Sequence, residues 1–346
     1  MPVPAPDTVL ICSWLEPEHV ARLRRDHPDL EILHAPELLR PPRYPADHKG
    51  ADRARTADEE ARWLALLARA TILFDFDQTH LDDLPERAPQ VRWIQATSAG
   101  IGQFVRRVRY AERMPQTVFT TARGVHAVPL AEFALLGMLL HARRALHMVA
   151  AQGQRHWERF AGTDLEDRTV VVLGLGAVGG EVARLARAHR MRVIGVRRHA
   201  DRGHPDVHRM VGPDALAEVL PEAEFLVLIA PHTDETEVMI GAAELAALPA
   251  GAALINIGRG ALVDEPALVD ALTRGHLGGA YLDVFADEPL PPSSPLWSMP
   301  NVLVSPHSGS TSDRENERIT ELFSENLRRW KAGEPLLNRL DPERLY

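Results

Sequence analysis

Residues 169–179 read Thr169-Val170-Val171-Val172-Leu173-Gly174-Leu175-Gly176-Ala177-Val178-Gly179. Five β-favouring residues run straight into spaced glycines, and Glu181-Val182-Ala183-Arg184-Leu185-Ala186 continues with helix-favouring composition. A glycine pattern alone is weak, but a strand, the glycines and a helix in register describe a phosphate-cradling turn. Gly174 permits the tight turn, Gly176 lets backbone approach a pyrophosphate, and Gly179 allows close helix-on-strand packing. Leu175, Ala177 and Val178 complete the loop, and the helix amino terminus adds free N–H groups and partial positive charge.

Outward from this turn, apolar runs recur at 169–174, 191–196, 224–229, 252–257, 279–283 and 301–305. Six strands with intervening helices match a doubly wound dinucleotide-binding sheet. Upstream, Val9-Leu10-Ile11, Leu30 to Leu33, Thr71 to Phe74 and Val91 to Ile94 alternate with helical stretches such as Glu59 to Ala68. That alternation predicts a second parallel sheet flanked by helices, so the fold class is α/β with two doubly wound domains. Residues 129–145 are apolar around most of a helix, which predicts burial on more than one side, between domains or between subunits. Residues 40–56 carry three prolines and many charges without apolar period, and read as an exposed, mobile excursion with no assigned chemistry. Ile319, Leu322, Phe323 and Leu327 stand at helical spacing in a tail that should pack back on earlier structure.

A length of 346 residues fits roughly two domains. The excess of 48 acidic over 39 basic side chains disfavours nucleic acid as the main partner. One cysteine, Cys12, excludes an internal disulfide framework; it reads as a buried small hydrophobe in a reducing cytoplasm. The amino terminus lacks the basic start and apolar stretch of a signal peptide, so export is not expected. Phe133 to Leu140 is far shorter than the roughly 20 apolar residues of a membrane span, and no membrane partner is expected.

The end of the second strand of a dinucleotide fold sets cofactor preference, because an acid there accepts hydrogen bonds from the ribose hydroxyls of NAD. Here Met191-Arg192-Val193-Ile194-Gly195-Val196 leads to Arg197 and Arg198. Guanidinium groups cannot accept those bonds but can pair with a 2′-phosphate, which favours NADP(H) and leaves NAD(H) as the alternative. Further on, Arg259 ends the run Leu254-Ile255-Asn256-Ile257-Gly258, Glu288 follows Tyr281-Leu282-Asp283-Val284-Phe285, and His307 follows Asn301-Val302-Leu303-Val304-Ser305. An arginine, a glutamate and a histidine converging at one sheet edge offer an anion clamp, a proton carrier and a carboxylate that orients the carrier and favours its protonated form.

Taken with these motifs, the chain resembles the D-isomer-specific 2-hydroxyacid dehydrogenase family. The resemblance covers most of the chain: Ala99-Gly100-Ile101 after Trp93-Ile94-Gln95, Ala122-Arg123-Gly124-Val125-His126, Ala131-Glu132, the glycine fingerprint, Pro231-His232-Thr233, the arginine motif, Asp283 through Pro291, and Pro306-His307. It implies a flavodoxin-like substrate domain of residues 1–121 plus 308–346, into which a Rossmann cofactor domain of residues 122–307 is inserted. Arg259, Glu288 and His307 fall on the family's catalytic residues. The substrate carboxylate is then expected on the backbone N–H groups of Ala99 and Gly100 and on Arg259, and the reacting carbonyl on Arg259 and His307. Pro231, Thr233, Ile257, Gly258 and Asp283 are expected to contact the cofactor, Asp283 through the nicotinamide carboxamide. The implied reaction moves a hydride between a nicotinamide cofactor and a small 2-keto or D-2-hydroxy acid, with glyoxylate or hydroxypyruvate foremost. Closure of a cleft between the domains would exclude water, and a homodimer is implied.

This chain departs from the pattern at Arg197, where an acid is common, and at Thr121, where many relatives carry asparagine. Glu288 argues against formate as substrate, since formate dehydrogenases pair the histidine with glutamine. With so short a tail, the added regulatory domain of many phosphoglycerate dehydrogenases is not expected, although shorter forms of those enzymes exist. Trp157 reads as ordinary packing, a cleft residue or a subunit contact. His199, His204 and His208 lack a supporting carboxylate pattern, so no metal is expected. The competing reading is a dinucleotide-sensing regulator of the C-terminal binding protein type.

Overall fold

The computed structural model describes residues 7–341 and 343. The chain divides into two compact units, Met1–Val125 with Thr311–Tyr346, and His126–Ser310.

In the first unit the strands are β1 (Thr8–Ile11), β2 (Glu31–Leu33), β3 (Ile72–Phe74), β4 (Trp93–Gln95) and β5 (Val118–Thr120), all parallel in the order β2-β1-β3-β4-β5. This is the flavodoxin-like order, and β1 and β3 are buried throughout because helices cover both faces. β5 was not anticipated: its two apolar residues, Val118 and Phe119, stand between threonines and make too short an apolar run to register. The tail helix Glu315–Ala332 packs Ile319, Phe323 and Leu327 into the core beside Phe74 and Trp93, as its spacing predicted. Cys12 is buried at the end of β1, and burial drives its thiol well above the usual range.

The excursion at 40–56 differs from expectation, being pinned rather than wholly exposed. Buried Asp47 accepts hydrogen bonds from Arg43 N (3.0 Å), Nε (2.7 Å) and Nη2 (3.0 Å) and from Gly50 N (3.1 Å). Gly50 has φ +65°, and a Cβ there would lie 2.5 Å from Arg40 Cβ, so glycine alone lets the turn close against residue 40. His48 Nδ1 lies 3.2 Å from Ser13 Oγ, at the end of β1.

The second unit carries β6 (Thr169–Leu173), β7 (Arg192–Val196), β8 (Arg209–Val211), β9 (Phe225–Leu228), β10 (Ala253–Asn256), β11 (Gly279–Leu282) and β12 (Val302–Val304). They form one parallel sheet in the order β12-β11-β10-β9-β6-β7-β8. The chain reverses direction of growth between β6 and β9, the switch point at which such sheets bind dinucleotides. The edge strand β8 brings the count to seven rather than the expected six; Arg209-Met210-Val211 is too short and too polar to stand out. The helix Ala127–Ala142 buries Ala131, Ala134, Gly137, Met138 and Ala142 but leaves Leu136 and Leu139 exposed, so within this chain it is buried on one side only. Gly137 seats it, since a Cβ there would lie 3.0 Å from Tyr281 Cβ. Trp157 is 94% exposed, which removes the ordinary-packing reading.

Candidate active site

The loop after β6 has the geometry its glycines require. Gly174 has φ +104°, and a Cβ there would lie 2.6 Å from Ala230 N. A Cβ on Gly179 would lie 2.2 Å from the Gly174 carbonyl oxygen, so the helix Ala177–Ala188 can sit this close to β6 only with glycine there. Gly176, the N-cap, is different: a Cβ on it would meet nothing within 4 Å. The space over Gly176 is thus open, at a helix end whose first N–H groups lack intrahelical acceptors, with Leu175, Ala177 and Val178 around it. Arg197, directly after β7, donates from Nε to the His199 carbonyl at 2.9 Å, while its buried Nη2 has no partner. Arg198 is exposed and pairs with Glu235. An open glycine cradle at a helix amino terminus fits the pyrophosphate of a dinucleotide.

After β9, Pro231 and Thr233 are organised by Thr236, a residue the sequence reading missed. Its Oγ1 donates to the Pro231 carbonyl at 2.7 Å and accepts from Thr233 N at 2.8 Å. Ile257 N donates to the Leu228 carbonyl at 3.1 Å, continuing the ladder past the end of β10.

Arg259, Glu288 and His307 leave the carboxyl ends of β10, β11 and β12, three strands adjacent in the sheet. Buried Asn256, also missed, sets the arginine loop: its Oδ1 accepts from Gly258 N at 3.1 Å and its Nδ2 donates to the Arg259 carbonyl at 3.0 Å. The signal was available, since an asparagine inside an apolar strand must find partners for both ends of its amide. Gly260 lets this loop press on the next one, because a Cβ there would come within 1.9 Å of the Phe285 carbonyl group. The Arg259 guanidinium donates from Nη1 to the Gly258 carbonyl at 2.6 Å. Burial lowers its pKa from the ordinary arginine value, against the opposing charge of Glu288.

His307 has φ +54°, a left-handed conformation uncommon for a non-glycine residue and typical of functional sites. Its Nδ1 lies 2.8 Å from Glu288 Oε2, while Glu288 Oε1 accepts from Phe285 N at 3.1 Å. Burial would raise the Glu288 carboxyl, but the hydrogen bond and charge of His307, the Phe285 N–H and Arg259 together hold it below the usual range. Asp283, fully buried, accepts at Oδ1 from Ser305 Oγ (2.6 Å), Ser308 N (2.8 Å) and Gly309 N (2.8 Å). Burial raises its pKa against those bonds, and the residue ties down the loop that carries His307.

The structure therefore gathers every expected residue of the second unit at one edge of one sheet. Ala99 and Gly100 belong to the first unit, on the exposed loop after β4, and their N–H groups donate to no acceptor among the described residues. Of the three histidines near 200, His208 Nδ1 accepts from Val193 N at 2.9 Å. No cluster of three or more histidine, cysteine, aspartate or glutamate side chains suited to a metal occurs among the described residues, and no helix there is long and apolar enough to cross a membrane.

Comparison with known proteins agrees with this geometry. Residues 135–309 match the family model described as D-isomer specific 2-hydroxyacid dehydrogenase, NAD binding domain. A glyoxylate reductase of Korarchaeum cryptofilum is 32% identical over 270 residues, covering 75% of this chain and 78% of that protein. A glyoxylate/hydroxypyruvate reductase B of Pectobacterium carotovorum is 37% identical over 221 residues, covering 62% and 68%. Among solved structures, a D-isomer specific 2-hydroxyacid dehydrogenase of Xanthobacter autotrophicus in complex with NADPH superposes with a TM-score of 0.79 at 30% identity, covering 99% of this chain and 100% of the other. The chain belongs to the D-isomer specific 2-hydroxyacid dehydrogenase family and is an NAD(P)-dependent oxidoreductase of small 2-hydroxy and 2-keto acids.

Proposed function

We propose that the protein is an NADPH-preferring reductase of small 2-keto acids, glyoxylate and hydroxypyruvate foremost, with Arg259, Glu288 and His307 as its catalytic residues. The observation that carries this reading is the 2.8 Å contact of His307 Nδ1 with Glu288 on strand ends next to that of Arg259. A carboxylate only accepts, so Nδ1 bears a proton and Nε2 is the atom that exchanges one with substrate. In reduction Nε2–H protonates the carbonyl oxygen while Glu288 stabilises the imidazolium; in oxidation neutral Nε2 takes the proton back. Arg259 clamps the substrate carboxylate and polarises the carbonyl, sharing the carboxylate with the N–H groups of Ala99 and Gly100. When bound, the nicotinamide supplies the hydride that becomes the new C–H bond.

The loop Gly174–Gly179 holds the pyrophosphate, with Pro231, Thr233, Ile257 and Gly258 lining the same site. The remaining oxygen of Asp283 takes the carboxamide N–H. Arg197, with Arg198 beside it, takes the 2′-phosphate; the partnerless Nη2 of Arg197 supports this. So do two relatives, the Xanthobacter dehydrogenase solved with NADPH and an NADPH-dependent glyoxylate/hydroxypyruvate reductase of Sinorhizobium meliloti solved with NADP, 25% identical with a TM-score of 0.77. Residues 1–121 with 308–346 are assigned to substrate binding and 122–307 to the dinucleotide. Exposed Leu136, Leu139 and Val149 support a homodimer through this face, and the single buried thiol fits a cytoplasmic setting.

The test is a panel of glyoxylate, hydroxypyruvate, pyruvate and phenylpyruvate with NADPH and with NADH, followed by loss of reduced-cofactor absorbance. Turnover is expected, with the higher kcat/KM for NADPH and the two smallest acids. Absence of turnover with every acid, alongside tight dinucleotide binding, would favour the regulatory reading instead.

A further inference from the structure

In the second sheet β7 and β9 lie on either side of β6, so the loops that follow them stand as two banks beside the glycine loop Gly174–Gly179. Strand spacing sets these banks roughly 10 Å apart. A side-chain contact joins them: Arg198, just after β7, donates from Nη2 to Glu235 Oε2 on the loop after β9. The two arginines are thus directed differently. Arg197 has its Nε held by the His199 carbonyl and a buried Nη2 without a partner, whereas the Arg198 side chain is half exposed and turned toward a carboxylate.

Glu235 is kept in place through its backbone. Thr236 Oγ1 accepts from Thr233 N at 2.8 Å and donates to the Pro231 carbonyl at 2.7 Å, and Thr236 N and Glu237 N both donate to the Thr233 carbonyl at 3.0 Å. With the turn fixed on both sides, Glu235 can leave Arg198 by rotating its side chain but cannot carry its charge away from the bank. Its side chain is 74% exposed, and an ion pair this exposed is weak enough to be exchanged for a stronger partner. A phosphate is such a partner, with three acceptor oxygens and nearly twice the charge of a carboxylate.

We propose that Glu235 is a specificity-determining residue that, acting through Arg198, sets how strongly the enzyme favours a dinucleotide with a 2′-phosphate. This rests on the assignment of the 2′-phosphate to Arg197 and Arg198 made above, and adds to it an opposing charge. With a plain ribose the Arg198–Glu235 pair stays closed between the banks. A 2′-phosphate draws Arg198 from Glu235 and is left facing the freed carboxylate, so part of the gain from the arginines is cancelled. Glu235 therefore holds the preference for NADPH below what Arg197 and Arg198 alone would give.

The probes are adenosine 2′,5′-bisphosphate and adenosine 5′-monophosphate, which differ only in the 2′-phosphate, titrated by calorimetry into the full-length protein. Glu235→Gln is expected to tighten the bisphosphate about three- to tenfold and to leave the monophosphate within about twofold. Arg198→Gln is expected to weaken only the bisphosphate, and to shrink the gain from Glu235→Gln when the two are combined. Glu235→Asp, which keeps the charge, should stay close to wild type. In turnover, kcat/KM for NADPH should rise in Glu235→Gln while that for NADH holds. Bisphosphate affinity unchanged or weakened in Glu235→Gln overturns the proposal, the weakened case making Glu235 a support for Arg198. So does an equal gain for both probes, which reports surface charge alone. Failure of the NADPH reading looks different: wild type then binds both probes equally, and a preference that emerges only in Glu235→Gln still supports Glu235 as the opposing charge. The exposed position of Glu235 lets these variants fold, which an unchanged Tm verifies.

Discussion

Glu288 joins His307 to the backbone of its own loop: one carboxylate oxygen faces Nδ1 at 2.8 Å and the other accepts the Phe285 N–H at 3.1 Å. Glu288→Gln keeps the shape but removes the charge that stabilises the imidazolium, and reductive kcat is expected to fall about 100-fold with little change in NADPH affinity. Because the folded carboxyl sits below its unfolded value, its contribution to stability is present above the unfolded value of about pH 4 and lost as pH falls through the folded one. Urea titrations across this range should show wild type more stable than the variant near neutrality, with the gap closing on acidification.

Cofactor choice should turn on Arg197. On the function proposed above, a 2′-phosphate would give its partnerless buried Nη2 an acceptor, whereas a carboxylate at that position would repel the phosphate and accept from ribose hydroxyls. For Arg197→Glu, fluorescence titration is expected to give NADPH binding weakened about 30-fold and NADH binding unchanged or tighter, reversing the preference. Equal affinity of wild type for both cofactors would remove the role given to this residue.

The glycines at 176 and 179 predict opposite phenotypes. Gly179→Ala drives a methyl to within 2.2 Å of the Gly174 carbonyl oxygen and should lower stability by about 2–4 kcal/mol, visible as a reduced Tm without ligand. Gly176→Ala places its methyl in open space, so Tm should hold while NADP(H) affinity falls about tenfold or more.

A fourth prediction concerns the turn at 43–50. The Asp47 carboxyl is lowered to about 2, because bonds from the Arg43 side chain, the Arg43 N–H and the Gly50 N–H outweigh the effect of burial. Asp47→Asn is expected to cost on the order of 1–2 kcal/mol at neutral pH. The difference should persist above the unfolded carboxyl value and disappear as pH approaches 2, which chemical denaturation at graded pH measures directly.

The second sheet was legible because β6, β7, β9, β10 and β11 are largely apolar runs of four or five residues that are almost wholly buried, and because the glycine turn joins strand to helix without interruption. Arg259, Glu288 and His307 stood out as polar residues in the short segments that follow apolar runs, Glu288 three residues beyond Phe285 and His307 three beyond Val304. The edge strands β5 and β8 were not, since each offers only two apolar residues, Val118-Phe119 and Met210-Val211, between polar or turn-forming neighbours. The positioning residue Thr236 left no trace in residue identity because its partners are backbone groups, whereas Asn256 was legible in principle as an amide inside an apolar strand. The bonds within the turn at Asp47 were not legible for a related reason: charge and proline content describe solvation, whereas the turn's shape there comes from one carboxylate collecting four hydrogen bonds.

Arg259, Glu288 and His307 hang from successive rungs of a single sheet, so their mutual spacing is inherited from strand pitch rather than from any long loop. On the mechanism proposed above, the proton-transfer apparatus is then a cassette encoded by one contiguous segment. Grafting residues 253–309 into a related scaffold should carry the chemistry across intact while the recipient keeps its own taste in acids, which makes this segment the natural unit for recombination and for engineered chimaeras.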